Sequence, residues 1–290
     1  MVAHTTLVDT GTLAAHLDDG WAILDCRSDL TDEGWGRAQY LQSHIPGAVH
    51  VSLAQDLSAT RDGRNGRHPL PTPDAMAALF GRLGVGAATQ AVIYDQDSGM
   101  YASRLWWMLR YMGHDAAAVL DGGWAKWTGE ARPVRGGDER RASTSFVAHP
   151  DPARGVTAEE VAALVHRDDA LLVDARAPER FEGRSEPIDR VAGHIPGAVN
   201  HFFKTNVTVD GTMLPPDILR ARFEALLDGR SSRDVVMYCG SGVTACQNLL
   251  AMAHAGLDGA RLYPGSWSEW SSDPERPGET GPARENRGTS

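Results

Sequence analysis

The hexapeptide His-Ile-Pro-Gly-Ala-Val occurs twice in this chain, at residues 44–49 and again at residues 194–199. In both places it follows an apolar run that ends in an aspartate, Asp25 in the first copy and Asp174 in the second. Copies that are about 150 residues apart indicate a duplicated domain, because a solenoid repeats at a much shorter period. The sequence therefore predicts two domains that share one fold.

Each copy also contains a short apolar run that precedes a glycine-containing turn and a helical segment. The runs cover residues 91–95 and 235–239, and the helical segments begin near Arg104 and Cys246. Runs of this length and composition are typical of buried parallel strands. Strands that alternate with helices favour a sheet covered on both faces. The expected fold class is therefore α/β, with two tandem domains, each a mostly parallel sheet flanked by helices.

The predicted domain boundaries follow from local composition. Residues 1–140 are assigned to the first domain and residues 153–272 to the second, since the segment around the junction is punctuated by proline and glycine. Residues 273–290 are polar and rich in proline and glycine, which predicts a disordered tail.

Composition and charge exclude several classes of function. The chain has 290 residues, of which 42% are hydrophobic, and its formal net charge is -10. Its apolar runs are too short for a membrane span, and its acidic balance argues against binding nucleic acid through a basic surface. Residues 1–6 lack the basic patch and apolar core of a secretory signal, so a cytoplasmic location is expected.

The cysteine and histidine positions separate candidate site residues from structural ones. Cys26, Cys239 and Cys246 are an odd number without zinc-ligand spacing, so neither a disulfide framework nor a metal site is expected. Cys26 and Cys246 are interpreted as inert, the latter on the core-facing side of a helix. His44 and His194, which begin the two hexapeptides, are expected to hydrogen-bond loop backbone at a turn.

Cys239 begins the segment Cys-Gly-Ser-Gly-Val-Thr-Ala, which lies between a predicted strand and a predicted helix. Gly240 and Gly242 allow this loop to curl, so that the N–H groups of Gly240 to Thr244, including that of Val243, point at one centre. A thiol in such surroundings can ionise at neutral pH. Spacing alone leaves open the alternative that Cys239 is a buried and inert cysteine.

These residues resemble the rhodanese and 3-mercaptopyruvate sulfurtransferase family. The resemblance rests on the loop CGSGVTA, the twofold HIPGAV, the VDAR strand end and the closing Trp-x-x-Trp motif, and it extends over residues 5–272. It implies tandem rhodanese-like domains of which only the C-terminal copy is catalytic, and Asp95 at the position equivalent to Cys239 agrees with this. It also implies a sulfurtransferase that carries sulfur as a Cys239 persulfide and needs no cofactor and no metal.

Within the family, the loop distinguishes sulfur donors. Thiosulfate-specific members resemble CRKGVTA and mercaptopyruvate members resemble CGSGVTA, so Gly240 and Ser241 indicate 3-mercaptopyruvate as the small-molecule donor, with release of pyruvate. A loop without Arg or Lys also offers less to a doubly charged donor, and the Ser241 hydroxyl can exchange a proton with a donor thiol. Thiosulfate is the alternative donor. The acceptor is open between a small thiol, cyanide and a thioredoxin-like protein, and a sulfur-relay module without turnover is a further alternative.

The resemblance also implies arginines that bind the donor carboxylate. Arg180, in the stretch RAPERF, is the matching residue, and arginine is suited to bidentate recognition of a carboxylate. A second family arginine falls on Arg184 or Arg190, of which Arg190 is preferred. Arg176 is expected to form a structural ion pair with Asp174 or a neighbour.

The last implied feature is a serine-histidine-aspartate relay that moves protons to and from the donor. Its serine is Ser241, and its histidine is His68, which the first domain contributes across the interface. Its aspartate falls on Ala54, which cannot titrate. Asp56 is therefore expected to substitute for the missing aspartate, or else His68 acts without support.

Overall fold

The first half of the chain forms a five-stranded sheet in the computed structural model, which describes residues 3–165 and 167–283. Its strands are β1 (Leu7–Val8), β2 (Ala22–Asp25), β3 (Val49–His50), β4 (Ala91–Tyr94) and β5 (Ala117–Leu120). They lie in the order β1-β5-β4-β2-β3, and all the pairs are parallel. The central strands β2, β4 and β5 are buried along their whole length, as their continuous apolar sequence predicts.

Helices cover this sheet. They are α1 (Thr10–Ala15), α2 (Trp35–Gln42), α3 (Pro73–Arg82), α4 (Ala102–Tyr111) and α5 (Gly123–Gly129). Side-chain caps fix two of the starts: Asp9 accepts a hydrogen bond from the Thr12 amide, and Thr72 accepts one from the Ala75 amide. Such caps satisfy N–H groups that have no partner within the helix.

The second half forms a four-stranded parallel sheet of the same design. Its strands are β6 (Leu171–Asp174), β7 (Val199–Asn200), β8 (Val235–Tyr238) and β9 (Arg261–Leu262). The order β7-β6-β8-β9 repeats the order β3-β2-β4-β5 of the first sheet. An isolated parallel bridge between Gly155 and Leu262 stands where β1 pairs with β5 in the first half.

The helices of the second half are α6 (Ala158–Leu164), α7 (Pro178–Phe181), α8 (Pro216–Leu227), α9 (Ala245–His254) and α10 (Ser266–Trp270). Short 3₁₀ turns occur at Pro152–Arg154, Phe203–Asn206 and Ser232–Asp234. A capping box, in which Thr157 and Glu160 bond each other's backbone amides, starts α6. The predicted α/β class, with two domains of parallel sheet flanked by helices, is confirmed.

A buried ion pair recurs in both halves at the end of the equivalent strands. Arg27 lies 2.6 Å from Asp25, and Arg176 lies 2.6 Å from Asp174. The side chains of these pairs are almost completely buried, so each charge is compensated by its partner. The predicted structural role of Arg176 is therefore confirmed.

The two hexapeptide histidines also have matching contacts. His44 Nδ1 donates a hydrogen bond to the Tyr40 carbonyl oxygen, and His194 Nδ1 donates one to the Phe181 carbonyl oxygen, each at 2.7 Å. Both imidazoles are buried and stack on the aromatic ring of the residue they bond. The expectation that they bind backbone at a turn is confirmed.

The chain after α10 differs from the disordered tail that we expected. The Trp270 indole donates to the Pro277 carbonyl oxygen at 2.7 Å, and His194 and Glu279 exchange backbone hydrogen bonds in an antiparallel bridge. The prediction is wrong for residues 273–283, which pack on the second domain because these contacts hold them. Residues 284–290, to which the prediction also applied, lie outside the described residues.

The first half contains the same closing contacts. There the Trp127 indole donates to the Pro133 carbonyl oxygen at 2.8 Å, and His44 and Arg135 form the equivalent antiparallel bridge. The segment after each Trp-x-x-Trp motif is thus part of the repeated unit.

The two domains pack against each other through α4 and α9. Within the described ranges, no helix has both the length and the apolar character that a membrane span requires.

Candidate active site

Cys239 follows β8 directly and begins the loop that leads into α9. It therefore lies at the carboxyl end of a parallel strand, where α/β folds place their ligand sites. Its backbone amide donates to the Ser266 hydroxyl oxygen at 3.1 Å, which ties the start of the loop to α10. The side chain is only 2% exposed and lines a cavity of about 260 Å³ between the two domains.

The surroundings of the Cys239 sulfur favour a thiolate. Burial raises the pKa of this thiol, but hydrogen bonds from the Thr244 hydroxyl and from the amides of Ser241 and Ala245 outweigh burial and leave the pKa below its ordinary value. Burial raises the pKa values of the Cys26 and Cys246 thiols. Of the three cysteines, Cys239 is thus the one poised to be a nucleophile.

The equivalent loop of the first domain surrounds Asp95 with a similar set of backbone amides, but there burial outweighs the amides and raises the pKa of the carboxyl. Asp95 is buried, and its carboxylate accepts hydrogen bonds from the backbone amides of Gly99, Tyr101 and Ala102 at 2.7 to 3.1 Å. A carboxylate in one copy and a thiol in the other therefore occupy one kind of amide cradle. This internal comparison supports the prediction that the loop points its amides at one centre.

A close backbone contact requires the glycine at position 242, whereas Gly240 lies against the end of a flexible side chain. Gly242 has φ of +73°, and a Cβ there would lie 2.3 Å from the Pro264 carbonyl oxygen. A Cβ on Gly240 would lie 2.6 Å from Arg67 Nη2. Of the predicted loop residues, Gly240, Ser241, Val243 and Thr244 line the cavity together with Cys239.

His68 of the first domain reaches this loop as the resemblance implied. Its Nδ1 lies 2.7 Å from Ser241 Oγ, and both side chains are buried. Burial, followed by the positive charges of Arg104, Arg61 and Arg67, lowers the pKa of His68 to about 3. The imidazole is therefore neutral at physiological pH, and its Nδ1 can accept a hydrogen bond from the Ser241 hydroxyl.

Of the two possibilities for His68, support from Asp56 is not favoured by the contacts of that carboxylate. One oxygen of Asp56 accepts a hydrogen bond from the Ser52 amide and the other from Arg82 Nη2, each at 2.9 Å. The carboxylate is thus engaged in a turn and in an ion pair. Ala54 and His68 line a small cavity of about 30 Å³, so the alanine leaves space where a relay aspartate was implied.

Arg180 lies where it was predicted, at the cavity that contains the thiol. It forms an ion pair with Glu186 at 2.6 Å and another with Asp189 at 3.1 Å. Glu186 is 4% exposed and also pairs with Arg176 at 3.2 Å. This network fixes the guanidinium of Arg180 beside the loop.

The second predicted arginine is placed elsewhere. Arg190 is exposed, and the described lining of the cavity does not include it. The chain turns so that Asp189, and not Arg190, points inward toward Arg180. The proposed role of Arg190 in substrate binding is therefore not supported by its position.

Arg67 is the site residue that the sequence reasoning missed. It comes from the first domain, forms an ion pair with Asp189 and lines the cavity beside Cys239. Burial lowers the pKa of Arg67 to about 10, and the negative charge of Cys239 opposes this shift. Its position next to His68 in the sequence was the available signal, since a loop that delivers a histidine to the site also delivers its neighbour.

The buried guanidinium of Arg104, on α4, joins the two domains at the site. It donates to the Gly242 carbonyl oxygen at 2.9 Å and to the His68 carbonyl oxygen at 3.1 Å. Within residues 3–165 and 167–283 it forms no ion pair with a carboxylate. Arg104 therefore positions the catalytic loop and the His68 loop together and adds positive charge near the thiol.

The described part of the chain contains no group of three or more His, Cys, Asp or Glu side chains that could hold a metal ion. The chemistry that this site offers is that of a stabilised thiolate, a neutral histidine bonded to a serine hydroxyl, and guanidinium groups that can bind an anionic substrate.

Comparison with known proteins places the fold and the site in one family. The model of the rhodanese-like domain matches residues 9–130 and again residues 157–273. The chain is 44% identical to a probable 3-mercaptopyruvate sulfurtransferase of Pseudomonas aeruginosa, over 95% of this chain and 98% of that protein. It is 40% identical to a putative thiosulfate sulfurtransferase of Mycobacterium tuberculosis, over 93% of this chain and 95% of that protein.

Among solved structures, a 3-mercaptopyruvate sulfurtransferase from Leishmania major superposes with a TM-score of 0.83 at 29% identity, covering 92% of this chain and 74% of that one. The match of the family model to both halves agrees with the duplicated sheets and with the repeated hexapeptide. The chain belongs to the rhodanese family, and it consists of two rhodanese-like domains.

Proposed function

We propose that the protein is a sulfurtransferase that takes sulfur from 3-mercaptopyruvate, holds it as a persulfide on Cys239 and passes it to a thiol or to cyanide. The observation that carries this proposal is the cradle of Cys239, in which the Thr244 hydroxyl and two backbone amides stabilise negative charge on sulfur. The same donors suit the terminal sulfur of a persulfide, which is also an anion. The name of the relative from Pseudomonas aeruginosa supports the choice of donor.

In the proposed first step, the Cys239 thiolate attacks the sulfur of the donor. An S–S bond forms, the C–S bond of the donor breaks, and its electron pair leaves on the enolate of pyruvate. The proton of the donor thiol passes to this enolate, so the products are pyruvate and an anionic persulfide. Ser241 and His68, which lie 2.7 Å apart, would carry that proton along their hydrogen bond, in which a neutral imidazole can serve as acceptor or donor.

The second step removes the outer sulfur. A thiolate or cyanide attacks the terminal sulfur of the persulfide, the S–S bond breaks, and its electron pair returns to Cys239 as the thiolate. Cys239 is 2% exposed, so a small acceptor enters the cavity, whereas a thioredoxin-like acceptor must bring its own thiolate into it. We propose a cytoplasmic location, because a catalytic thiolate persists in a reducing compartment. Cell fractionation with detection of the protein tests that location.

Thiosulfate is the second candidate donor, and one feature of the site favours it. The loop itself has no cation, but Arg67 and Arg180 bring two guanidinium groups beside Gly240. The site therefore offers a dianion more positive charge than the loop sequence indicates. The relative from Mycobacterium tuberculosis is named a putative thiosulfate sulfurtransferase.

Turnover with both donors tests the proposal directly. With cyanide as acceptor, both donors are expected to give thiocyanate, and both reactions should require Cys239. The kcat/KM for 3-mercaptopyruvate should be the higher one, and this donor should also release equimolar pyruvate. Cys239→Ser should abolish both reactions, while the matched variant Cys26→Ser, which changes a buried thiol outside the cavity, should retain them. Pyruvate release that survives in Cys239→Ser would reject the mechanism, and a higher kcat/KM for thiosulfate would reject the choice of donor.

A further inference from the structure

We propose that Arg67 from the first domain and Arg180 from the second form one binding site for the carboxylate of the donor, and that Asp189 occupies this site as a built-in competitor until the donor displaces it. The inference rests on the proposed function, because it assigns the part of the pocket that recognises an anionic donor. It also gives the domain without a catalytic cysteine a role in substrate recognition.

The two guanidinium groups lie beside the catalytic loop. A Cβ on Gly240 would lie 2.6 Å from Arg67 Nη2 and 3.6 Å from both terminal nitrogens of Arg180. Both arginines therefore face the backbone of Gly240, the residue next to Cys239. A carboxylate held between them would place the remaining atoms of a three-carbon donor beside the thiolate, since both arginines and Cys239 line one cavity.

A carboxylate of the chain, that of Asp189, already binds both guanidinium groups. Asp189 accepts from Arg67 Nη1 with one carboxylate oxygen and from Arg180 Nη2 with the other, the latter at 3.1 Å. Its side chain is 5% exposed. A carboxylate that bridges two guanidinium groups next to the catalytic loop is the arrangement that a bound donor carboxylate would adopt.

The contacts of the two acids indicate that Asp189 can be exchanged for a donor carboxylate and that Glu186 cannot. Glu186 is held by three further contacts besides its 2.6 Å bond to Arg180, because it pairs with Arg176 and accepts the backbone amides of Ile188 and Asp189. Asp189, by contrast, lies on the segment that leads to the exposed Arg190. Rotation of the Asp189 side chain toward solvent, with its backbone amide still bonded to Glu186, would free the two guanidinium groups and leave the Glu186 network intact.

The loop that carries Arg67 is anchored firmly enough to recognise a small ligand. The Arg67 amide donates to Ser268 Oγ at 3.0 Å, and Arg104 donates to the carbonyl oxygen of the next residue, His68. Gly66 has φ of +82°, and a Cβ there would lie 2.9 Å from the Gly265 carbonyl oxygen. The first domain therefore delivers the base His68 and the cation Arg67 on one fixed turn against α10.

Steady-state kinetics with 3-mercaptopyruvate tests the inference through two opposite effects. Arg67→Gln should raise KM about tenfold or more, because a charge-assisted contact to the donor carboxylate is lost. Asp189→Asn should lower KM severalfold, because the donor no longer competes with a carboxylate of the chain. The matched control Arg190→Gln, an exposed neighbour, should leave KM and kcat unchanged. A higher KM in Asp189→Asn, or equal effects of Arg67→Gln and Arg190→Gln, would overturn the proposal.

A readout without turnover separates this inference from the proposed function. Pyruvate, used as a small keto carboxylate, should protect Cys239 from alkylation by iodoacetamide in the wild type, less in Arg67→Gln and more in Asp189→Asn. A misfolded variant cannot produce the last result, since protection would increase. If the wild type fails to turn over 3-mercaptopyruvate but this order of protection holds, the function is wrong and the carboxylate site stands. If turnover occurs and the three proteins are protected equally, the function stands and the carboxylate site is wrong.

Discussion

The contribution of the Thr244 hydroxyl to the Cys239 thiolate can be measured by removing it. Thr244→Val keeps the shape of the side chain and deletes the hydrogen bond that opposes the effect of burial most strongly. A hydrogen bond to a charged group is worth about 1.5–3 kcal/mol, so the thiolate is expected to lose stabilisation of that size. Because 1.36 kcal/mol corresponds to about a tenfold change in an equilibrium constant, the fraction of thiolate below its pKa should fall about ten- to one-hundred-fold.

The assay is the rate of alkylation of Cys239 by iodoacetamide as a function of pH, read by peptide mass spectrometry so that Cys26 and Cys246 are followed separately. The midpoint of the profile should move to higher pH in Thr244→Val and return toward the wild-type value in Thr244→Ser, which keeps a hydroxyl. Burial raises the pKa of the other two thiols, so both should react slowly in every variant. An unchanged profile in Thr244→Val would refute the account of how the loop activates the sulfur.

Three further predictions concern the architecture around the site. The pKa of His68 is about 3 in the folded protein and near 6.5 when unfolded, so unfolding takes up a proton between these values and stability should fall as pH decreases from about 6 to 4. His68→Asn should reduce that slope by up to about 1.4 kcal/mol per pH unit in urea titrations, and an unchanged slope would contradict the buried neutral imidazole. Gly242→Ala should lower the free energy of unfolding by at least about 2 kcal/mol, because position 242 has a positive φ and a Cβ there would clash with Pro264. The control Gly229→Ala, at a position with φ of +80° and open space, should lower it by about 1 kcal/mol. Equal losses in the two variants would argue against the clash. Truncation after Ser272 removes the hydrogen bonds of Pro277, Glu279 and Gly281. It should lower the free energy of unfolding, measured with denaturant, by about 2–6 kcal/mol. An unaltered unfolding midpoint would mean that these contacts contribute nothing to stability.

Features that repeat in the sequence could be predicted, because the duplication supplies its own comparison. The two sheets and the Asp174–Arg176 ion pair follow from apolar runs and motifs that occur in both halves. Of the amides predicted to surround the Cys239 sulfur, that of Ser241 bonds it, whereas the Thr244 hydroxyl and the Ala245 amide were not predicted. The tail was mispredicted because composition was given more weight than Pro277, which follows Trp270 much as Pro133 follows Trp127.

Features that depend on contact between the halves could not be predicted from local patterns. Nothing in the spacing of Arg67 shows that it meets Asp189, which is far away in the chain and in the other domain. Asp189 points inward and Arg190 points outward from a short irregular segment. A shift of this segment by one residue would place Arg190 inward and Asp189 outward. Asp56 is not favoured as a relay partner because the Ser52 amide and Arg82 already satisfy it.

The central claim is that Cys239 itself carries the transferred sulfur. Intact-protein and peptide mass spectrometry after incubation with 3-mercaptopyruvate, with no acceptor present, measures this directly. The account predicts a gain of one sulfur atom per chain, located on Cys239, released by cyanide and absent from Cys239→Ser. Stoichiometric pyruvate without added sulfur on the protein, or sulfur found on Cys26 or Cys246, would contradict it.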